Sequence, residues 1–277
     1  MEKQRVLITV KTYPTLSRKY GETVCTAGVR EDGSWVRIYP VPFRRLDEEQ
    51  QYSKYDWIEC RLQRNTVDVR PETFRPVDPC ELVPVGKMGT DDRWRERREI
   101  LLKKARVYEN LEELIAGAKA NQVSLAVFRP ARILEFVVEE DEREWDIDKV
   151  REMREASRQH ELFEDNTWRE TFRVIPKLPY KFSYRFEDSA GKTSEQQILD
   201  WEIGALYWNC LRSVDGHEAR AIAKVRQKYM DEFQKKDLHL FLGTTQQWHQ
   251  VAPNPWVIVG VLPIPTETQL GLFGAGP

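Results

Sequence analysis

Asp237 and His239 stand two residues apart at the head of an apolar run, and a polar segment from Gly243 to Pro255 follows them with Thr244, Thr245, Gln246, Gln247, Trp248, His249 and Asn254. In an extended strand, side chains two apart share a face. Asp237 and His239 therefore point the same way, and His249 or Asn254 can return to meet them. Such a set could move protons in base excision or phosphodiester hydrolysis. A histidine packed under a helix is the competing structural reading. Asp200 and Glu202, flanking Trp201, are a second acidic candidate. Read as lying inside one helix, they project about 200° apart around the axis and cannot share a metal. Glu202 alone, on the Ile198/Ala205 side, is expected to be partly buried and suited to general acid or base work, or else paired with a cation.

A different chemistry is written into Lys11-Thr12-Tyr13-Pro14-Thr15-Leu16-Ser17-Arg18-Lys19-Tyr20. Cations neutralise phosphates, hydroxyls hydrogen-bond to them, and tyrosines offer stacking faces to unpaired bases. Lys11, Tyr13, Ser17, Arg18, Lys19 and Tyr20 are the candidates here. Trp35, Arg37 and Tyr39 alternate along one face of a strand-like run whose other face is Val36 and Ile38, and Arg44 and Arg45 follow. With Val36 and Ile38 inside a barrel, the Trp35/Arg37/Tyr39 face is expected to point outward and extend a basic, aromatic surface for nucleic acid. Alternatively, Trp35 and Tyr39 cap the barrel against a long helix.

Those groups need elements to position them. Val6 to Val10, Glu22 to Val29, Trp35 to Tyr39 and Trp57 to Leu62 read as strands, and Asp32-Gly33 is a hairpin signal. A helix is predicted from Thr90 with Trp94, Leu101, Ala105, Tyr108 and Ile115 on one side. Ser124 to Val138 reads as one or two strands broken at Pro130, and a further helix is expected near 147–160. Ser194 and Gln197 read as a capping box before the stripe Leu199, Ile203, Leu206, Cys210; Asp215 and Glu218 start another helix carrying Ile222, Val225, Tyr229 and Phe233. Leu238 to Leu242 and Trp256 to Leu262 are nearly all apolar and read as buried strands beneath those helices. The expected class is α+β: an OB-like small β-barrel over 1–88, an α/β module with helices packed on a sheet over 89–265, and a flexible tail over 266–277.

Composition limits the options. The 277 residues carry 40% apolar side chains, enough for a substantial core, and 43 Lys+Arg against 45 Asp+Glu. The net charge of -2 hides an asymmetry, because residues 1–132 hold 25 cations and 20 anions while 133–277 hold 18 and 25. Any polyanion is expected to meet the front half. Four scattered cysteines and four histidines lack zinc spacing, so no metal and no cofactor is expected. P-loop, dinucleotide, serine-hydrolase and zinc-deaminase signatures are missing. The polar start Met1-Glu2-Lys3-Gln4-Arg5 argues against a signal peptide, and no apolar run has the length of a membrane span. A cytoplasmic protein without membrane contact is the expectation.

Two resemblances add partners. Val24-Cys25-Thr26-Ala27-Gly28-Val29, Asp32-Gly33-Ser34-Trp35-Val36-Arg37-Ile38-Tyr39-Pro40 and Arg70-Pro71-Glu72 resemble the opening of bacterial dual-OB proteins, which implies nucleic-acid binding by the first third of the chain. Gln269-Leu270-Gly271-Leu272-Phe273 resembles the peptide by which bacterial repair and replication proteins dock on the sliding clamp. That likeness implies that Gln269 bonds at a pocket rim while Leu270, Leu272 and Phe273 fill it. Folding of these apolar residues back onto the body is the other reading. The expected function is DNA binding in repair, replication or phage defence, on single-stranded or distorted DNA, with recruitment to the clamp. The alternatives are a DNA glycosylase or nuclease, and a modified-nucleotide sensor without catalysis.

Overall fold

A computed structural model of the chain describes residues 2–17, 21–41, 43, 46, 48–78, 81–152, 155 and 175–266. Strands β1 (Gln4–Lys11), β2 (Thr15–Ser17), β3 (Gly21–Val29), β4 (Trp35–Val41), β5 (Asp56–Cys60), β6 (Leu62–Arg64), β7 (Thr73–Pro76) and β8 (Val83–Lys87) form one curled sheet. β1 pairs with β3 and β5, β3 with β4, β4 with β7 in parallel, and β7 with β6. Only Arg61 separates β5 from β6. The partner of β1 thus runs straight on into the partner of β7, and the sheet curls into a small OB-like barrel. The Asp32-Gly33 turn links β3 to β4 as the sequence predicts, with Gly33 at φ +85° and its backbone against Lys104 and Ala105. A side chain there would meet the backbone of that segment.

The barrel interior holds Val6, Ile8, Val24, Val36, Ile38, Val41, Ile58 and Leu62. Between Ile8 and Val10 the β1–β3 register shifts, a bulge that turns Val10 to the outside. Outside, Leu7, Val10, Ala27 and Val29 are buried too, because a second sheet lies over them.

After the barrel, α1 (Asp91–Arg98) runs on as a wider turn over Glu99–Lys104, and the chain becomes extended at Ala105. β9 (Val107–Tyr108) follows, then α2 (Leu111–Lys119), capped by Asn110. The single helix predicted from Thr90 past Ile115 is therefore two. Asp92, Arg93 and Trp94 also have φ of 46°, 60° and 62°, so regular helix starts only beyond them. Asn110 supplies the second start, its side chain accepting from the backbone of Glu112 and Glu113.

β10 (Leu125–Phe128) and β11 (Arg132–Glu140) are split at Pro130 as expected, and residues 147–152 form helix α3. β12 (Tyr180–Glu187) and β13 (Thr193–Gln197) precede α4 (Trp201–Ser213) and α5 (Glu218–Arg226), and β14 (Asp237–Thr244) and β15 (Trp256–Ile264) complete the module. Its sheets are β15-β14-β10-β9 and β11-β12-β13. Ser194 and Gln197 are strand residues rather than a capping box; the cap of α4 is Asp200, which accepts from Glu202 N. One face of the β14–β15 sheet packs under α2, α4 and α5 through Leu240, Leu242, Ile258, Ile203, Tyr207 and Val225. Its other face, with Leu125, Val127, Phe241, Val259 and Leu262, covers the barrel. No helix of the described residues is long and apolar enough to cross a membrane.

Candidate functional site

The seam between the modules decides what each candidate can do. Arg37, expected on an outward face, is 1% exposed. Its Nη1 donates to Ser124 Oγ (2.7 Å) and Thr73 Oγ1 (3.2 Å), and its Nη2 to Ser124 O (2.9 Å). Alternation placed Val36 and Ile38 inside correctly, but the opposite face meets β10 and β14 instead of water. Trp35 lies edge-on to Phe241 of β14, at 5.8 Å between ring centres. The Trp35 and Arg37 side of β4, expected to face nucleic acid, is an interface within the chain.

A polar cluster closes the edge of this seam. Arg70 forms a two-pronged pair with buried Asp68 (2.8 and 2.5 Å) and donates to Thr244 O. Burial pushes the Asp68 carboxyl up, and Arg70 outweighs it and holds the group below its usual value. His249, 2% exposed, has Nδ1 at 2.9 Å from Thr244 Oγ1 and Nε2 at 2.9 Å from Asn121 Oδ1. Asn121 Nδ2 donates to Val69 O, which orients the amide and leaves Oδ1 to accept from Nε2. Burial, Arg70 and Arg37 bring His249 down to about 4, so the ring is neutral at pH 7. Every polar atom of that ring is engaged, as in a structural clasp.

His239 sits near the opposite end of β14. It is buried, with Nδ1 3.3 Å from Asp237 O, while Asp237 pairs with Arg129 at 3.1 Å. Five residues of strand, about 17 Å, separate His239 from Thr244 and its partner His249, and Asn254 Nδ2 donates to Ser194 Oγ. The predicted acid/base set of Asp237, His239 and His249 is not assembled, because the 243–255 loop folds toward the barrel and Asn121 instead of back along the strand.

Chemistry converges at the end of the barrel. The isolated bridge Thr12↔Asp200 and the bond from Tyr13 N to Leu199 O (2.9 Å) tie the exit of β1 to the start of α4. Lys54, ahead of β5, reaches under this junction. Its Nζ donates to Asp200 Oδ2 at 2.6 Å and to Glu202 Oε2 at 3.0 Å. Lys54 and Asp200 are 5% and 0% exposed at the side chain, and Glu202 is 58% exposed. The expected divergence of the two carboxylates fails because Asp200 precedes the helix as its cap. They converge on an ammonium, not on a metal. Burial would strip Lys54 of its proton, but the two carboxylates outweigh it and hold the group above its ordinary value. Asp200 is pushed up by its own desolvation, against the pull of Lys54.

Beside this pair, Lys11 Nζ lies 4.1 Å from the Phe43 ring centre and 4.6 Å from that of Trp201, and donates to Tyr52 O at 3.4 Å. Phe43 packs edge-on against both Tyr52 (4.9 Å) and Trp201 (5.7 Å). Burial and then the Lys54 charge push the Lys11 amine down, opposed by Glu202 and Asp200. No salt bridge joins Lys11 to a carboxylate among the described residues: Lys54 holds Asp200 and Glu202, and Asp56 accepts from Ser53 N. Tyr13 is not free to stack. Its hydroxyl donates to Pro176 O (2.8 Å) and accepts from Trp208 Nε1 (2.9 Å), and its ring lies on Gly204, where a Cβ would come within 2.4 Å. Tyr39 accepts at its carbonyl from Asn65 Nδ2 (3.1 Å), and Ser17 lies in β2. Arg18, Lys19, Tyr20, Arg44, Arg45, Gln269, Leu270, Leu272 and Phe273 lie outside the described residues.

Of the sequence candidates, the site retains Lys11 and the Asp200/Glu202 pair, now convergent on one cation, and it adds Lys54, Phe43, Tyr52 and Trp201. An Asp directly before an apolar stripe is a helix-start signal that could have placed Asp200 at the cap and not inside the helix; nothing local marks Lys54. Among the described residues no group of three or more His, Cys, Asp or Glu could hold a metal ion. Residues 2–103 match a family model described as domain of unknown function (DUF8758), and residues 107–276 match one described as domain of unknown function (DUF8757). The two matches meet where the α1 segment ends and β9 begins. No curated protein matches the chain.

Proposed function

The chain belongs to the family described as domain of unknown function (DUF8757), and we propose that it is a nucleic-acid-binding protein that takes an unpaired strand at the barrel end. The observation that carries this reading is Lys11, held between Phe43 and Trp201 with no carboxylate of its own among the described residues. An ammonium beside indole and phenyl rings suits a phosphate next to a base. The phosphate replaces weak acceptors, and the base gains a stacking partner worth about 1–3 kcal/mol. The sequence adds cations close along the chain, since Arg18 and Lys19 follow Lys11 by seven and eight residues and Arg44 and Arg45 follow Phe43 directly. The buried β3–β4 face does not take part. In this proposal Gln269, Leu270, Leu272 and Phe273 tether the protein to the sliding clamp, which raises its local concentration at DNA so that a weak grip suffices. The role is repair, replication or phage defence, and the compartment the cytoplasm.

The test is anisotropy titration of single-stranded, duplex and RNA oligonucleotides across salt, with Trp fluorescence on the same samples. Binding that weakens steeply with salt and quenches Trp201 is expected; salt-independent binding, or none, overturns the reading. An enzymatic reading has its own observation, the Lys54–Asp200–Glu202 group with Glu202 reaching solvent. Product analysis with magnesium and with EDTA tests it, since a nuclease of the usual kind stops in EDTA and a monofunctional glycosylase does not.

A further inference from the structure

We propose that Lys11 is a nucleophilic amine that forms an imine with an aldehyde on the bound strand, of the kind exposed by the open-chain sugar of an abasic nucleotide. The inference rests on the strand-binding reading and gives the same site a substrate class.

The geometry separates two lysines by role. Lys54 is buried and saturated by Asp200 and Glu202, so its ammonium is fixed. Lys11 has one backbone acceptor, at the long distance of 3.4 Å, two ring faces, and an intermediate exposure that leaves it within reach of a ligand. A lysine desolvated among apolar groups beside a second, permanently charged cation is an arrangement that activates amines. Burial and Lys54 lower the proton affinity of Lys11 in that way. The rings favour the ammonium, so the free amine is drawn from an equilibrium that a docking aldehyde can pull. In the step itself, the Lys11 nitrogen lone pair attacks the carbonyl carbon and the C=O pair moves to oxygen, which takes up the proton lost by nitrogen. The resulting hydroxyl then departs with the second N–H proton as water, leaving C=N. No oxidant, reductant or metal is needed. Glu202, exposed and hydrogen-bonded to Lys54, stands at the solvent side, where a proton must be exchanged.

The experiment uses the full chain with a labelled single-stranded oligonucleotide carrying one abasic site, and separately with 2-deoxyribose 5-phosphate, each in sodium borohydride, which reduces an imine to a stable amine. Binding to the intact oligonucleotide is followed by anisotropy in parallel. A covalent adduct that maps to the Lys11 peptide, and that falls at least tenfold in Lys11→Arg at unchanged melting temperature, supports the proposal. Oligonucleotide binding without an adduct overturns the imine and leaves the strand reading standing. An adduct with the sugar phosphate but no oligonucleotide binding supports the amine and removes the strand. Adducts spread over other lysines and equal in Lys11→Arg overturn the proposal.

Discussion

Replacing Lys54 by Met should unmask how the Asp200 carboxylate is tolerated with none of its side chain exposed. At 2.6 Å and an effective dielectric of about 20, the gross attraction is on the order of 6 kcal/mol. Desolvation takes back several kcal/mol for each ion, so the intact pair contributes little net stability. Removing only the lysine leaves the carboxylate's desolvation unopposed, a loss of about 3–5 kcal/mol. Lys54→Met should therefore lower urea-unfolding stability at pH 7 by that amount. Asp200→Asn keeps an acceptor for Glu202 N but leaves the buried ammonium only the exposed Glu202 carboxylate at 3.0 Å, and should be damaging as well. The double variant should recover about 2–3 kcal/mol over the sum of the singles. The pH sign follows from the carboxyl. In Lys54→Met the folded pKa of Asp200 lies above its unfolded value near 3.9, so the group stabilises below that value and its contribution is lost as pH rises through the raised folded pKa. The deficit should therefore shrink on acidification toward pH 4–5. Lys103–Glu99, an exposed i,i+4 pair at 2.9 Å, is the control, worth about 0.3–0.5 kcal/mol. Additive single losses below about 1 kcal/mol at Lys54 and Asp200 would refute the reasoning and mean that water reaches the pair.

Arg37→Glu should fail as a protein, not as a binding variant: a carboxylate buried in the seam near Glu72 and Asp68, with the neighbouring Arg70 already paired to Asp68, should remove about 3–5 kcal/mol, read as a drop in melting temperature. Trp201→Ala should weaken single-stranded oligonucleotide binding by roughly tenfold, equivalent to about 1.4 kcal/mol of stacking, as measured by anisotropy at fixed salt; unchanged affinity would move the strand elsewhere. His249 has a folded pKa of about 4 against an ordinary value near 6.5. The unfolded chain therefore binds the extra proton in that window, and stability should decline as pH falls from about 6.5 toward 4. The slope is up to about 1.4 kcal/mol per pH unit. His249→Gln should flatten that slope in urea titrations run across the window, and an unchanged slope would assign it to other groups.

Local patterns accounted for much of the fold. The Asp32-Gly33 turn, the alternating run of β4, the break at Pro130 and the apolar strands β14 and β15 stand where periodicity and turn chemistry put them. The misreadings share a cause. A run such as Ser194–Gln197 satisfies the capping-box pattern, yet it is held in β13 by its ladder to β12, and the helical periodicity from Trp94 to Ile115 is broken where the chain extends at Ala105 into β9 and restarts at the Asn110 cap.

By itself the sequence determined which residues alternate, where the chain turns and which segments are apolar enough to be buried, because each depends on neighbours a few positions away. It also placed Lys11 among aromatic and basic residues, and it carries the Gln269–Phe273 peptide whole. Only the tertiary structure decided whether the second face of a strand meets water. Alternation sorts Arg37 from Val36 and Ile38 but is blind to a second sheet that arrives 87 residues later at Ser124 to receive the guanidinium. The pairing of Lys54 with Asp200 spans 146 residues. A charge can be buried only where other parts of the chain supply a counter-charge or hydrogen-bond partners, so such a site exists in the packing of distant segments and in no local pattern.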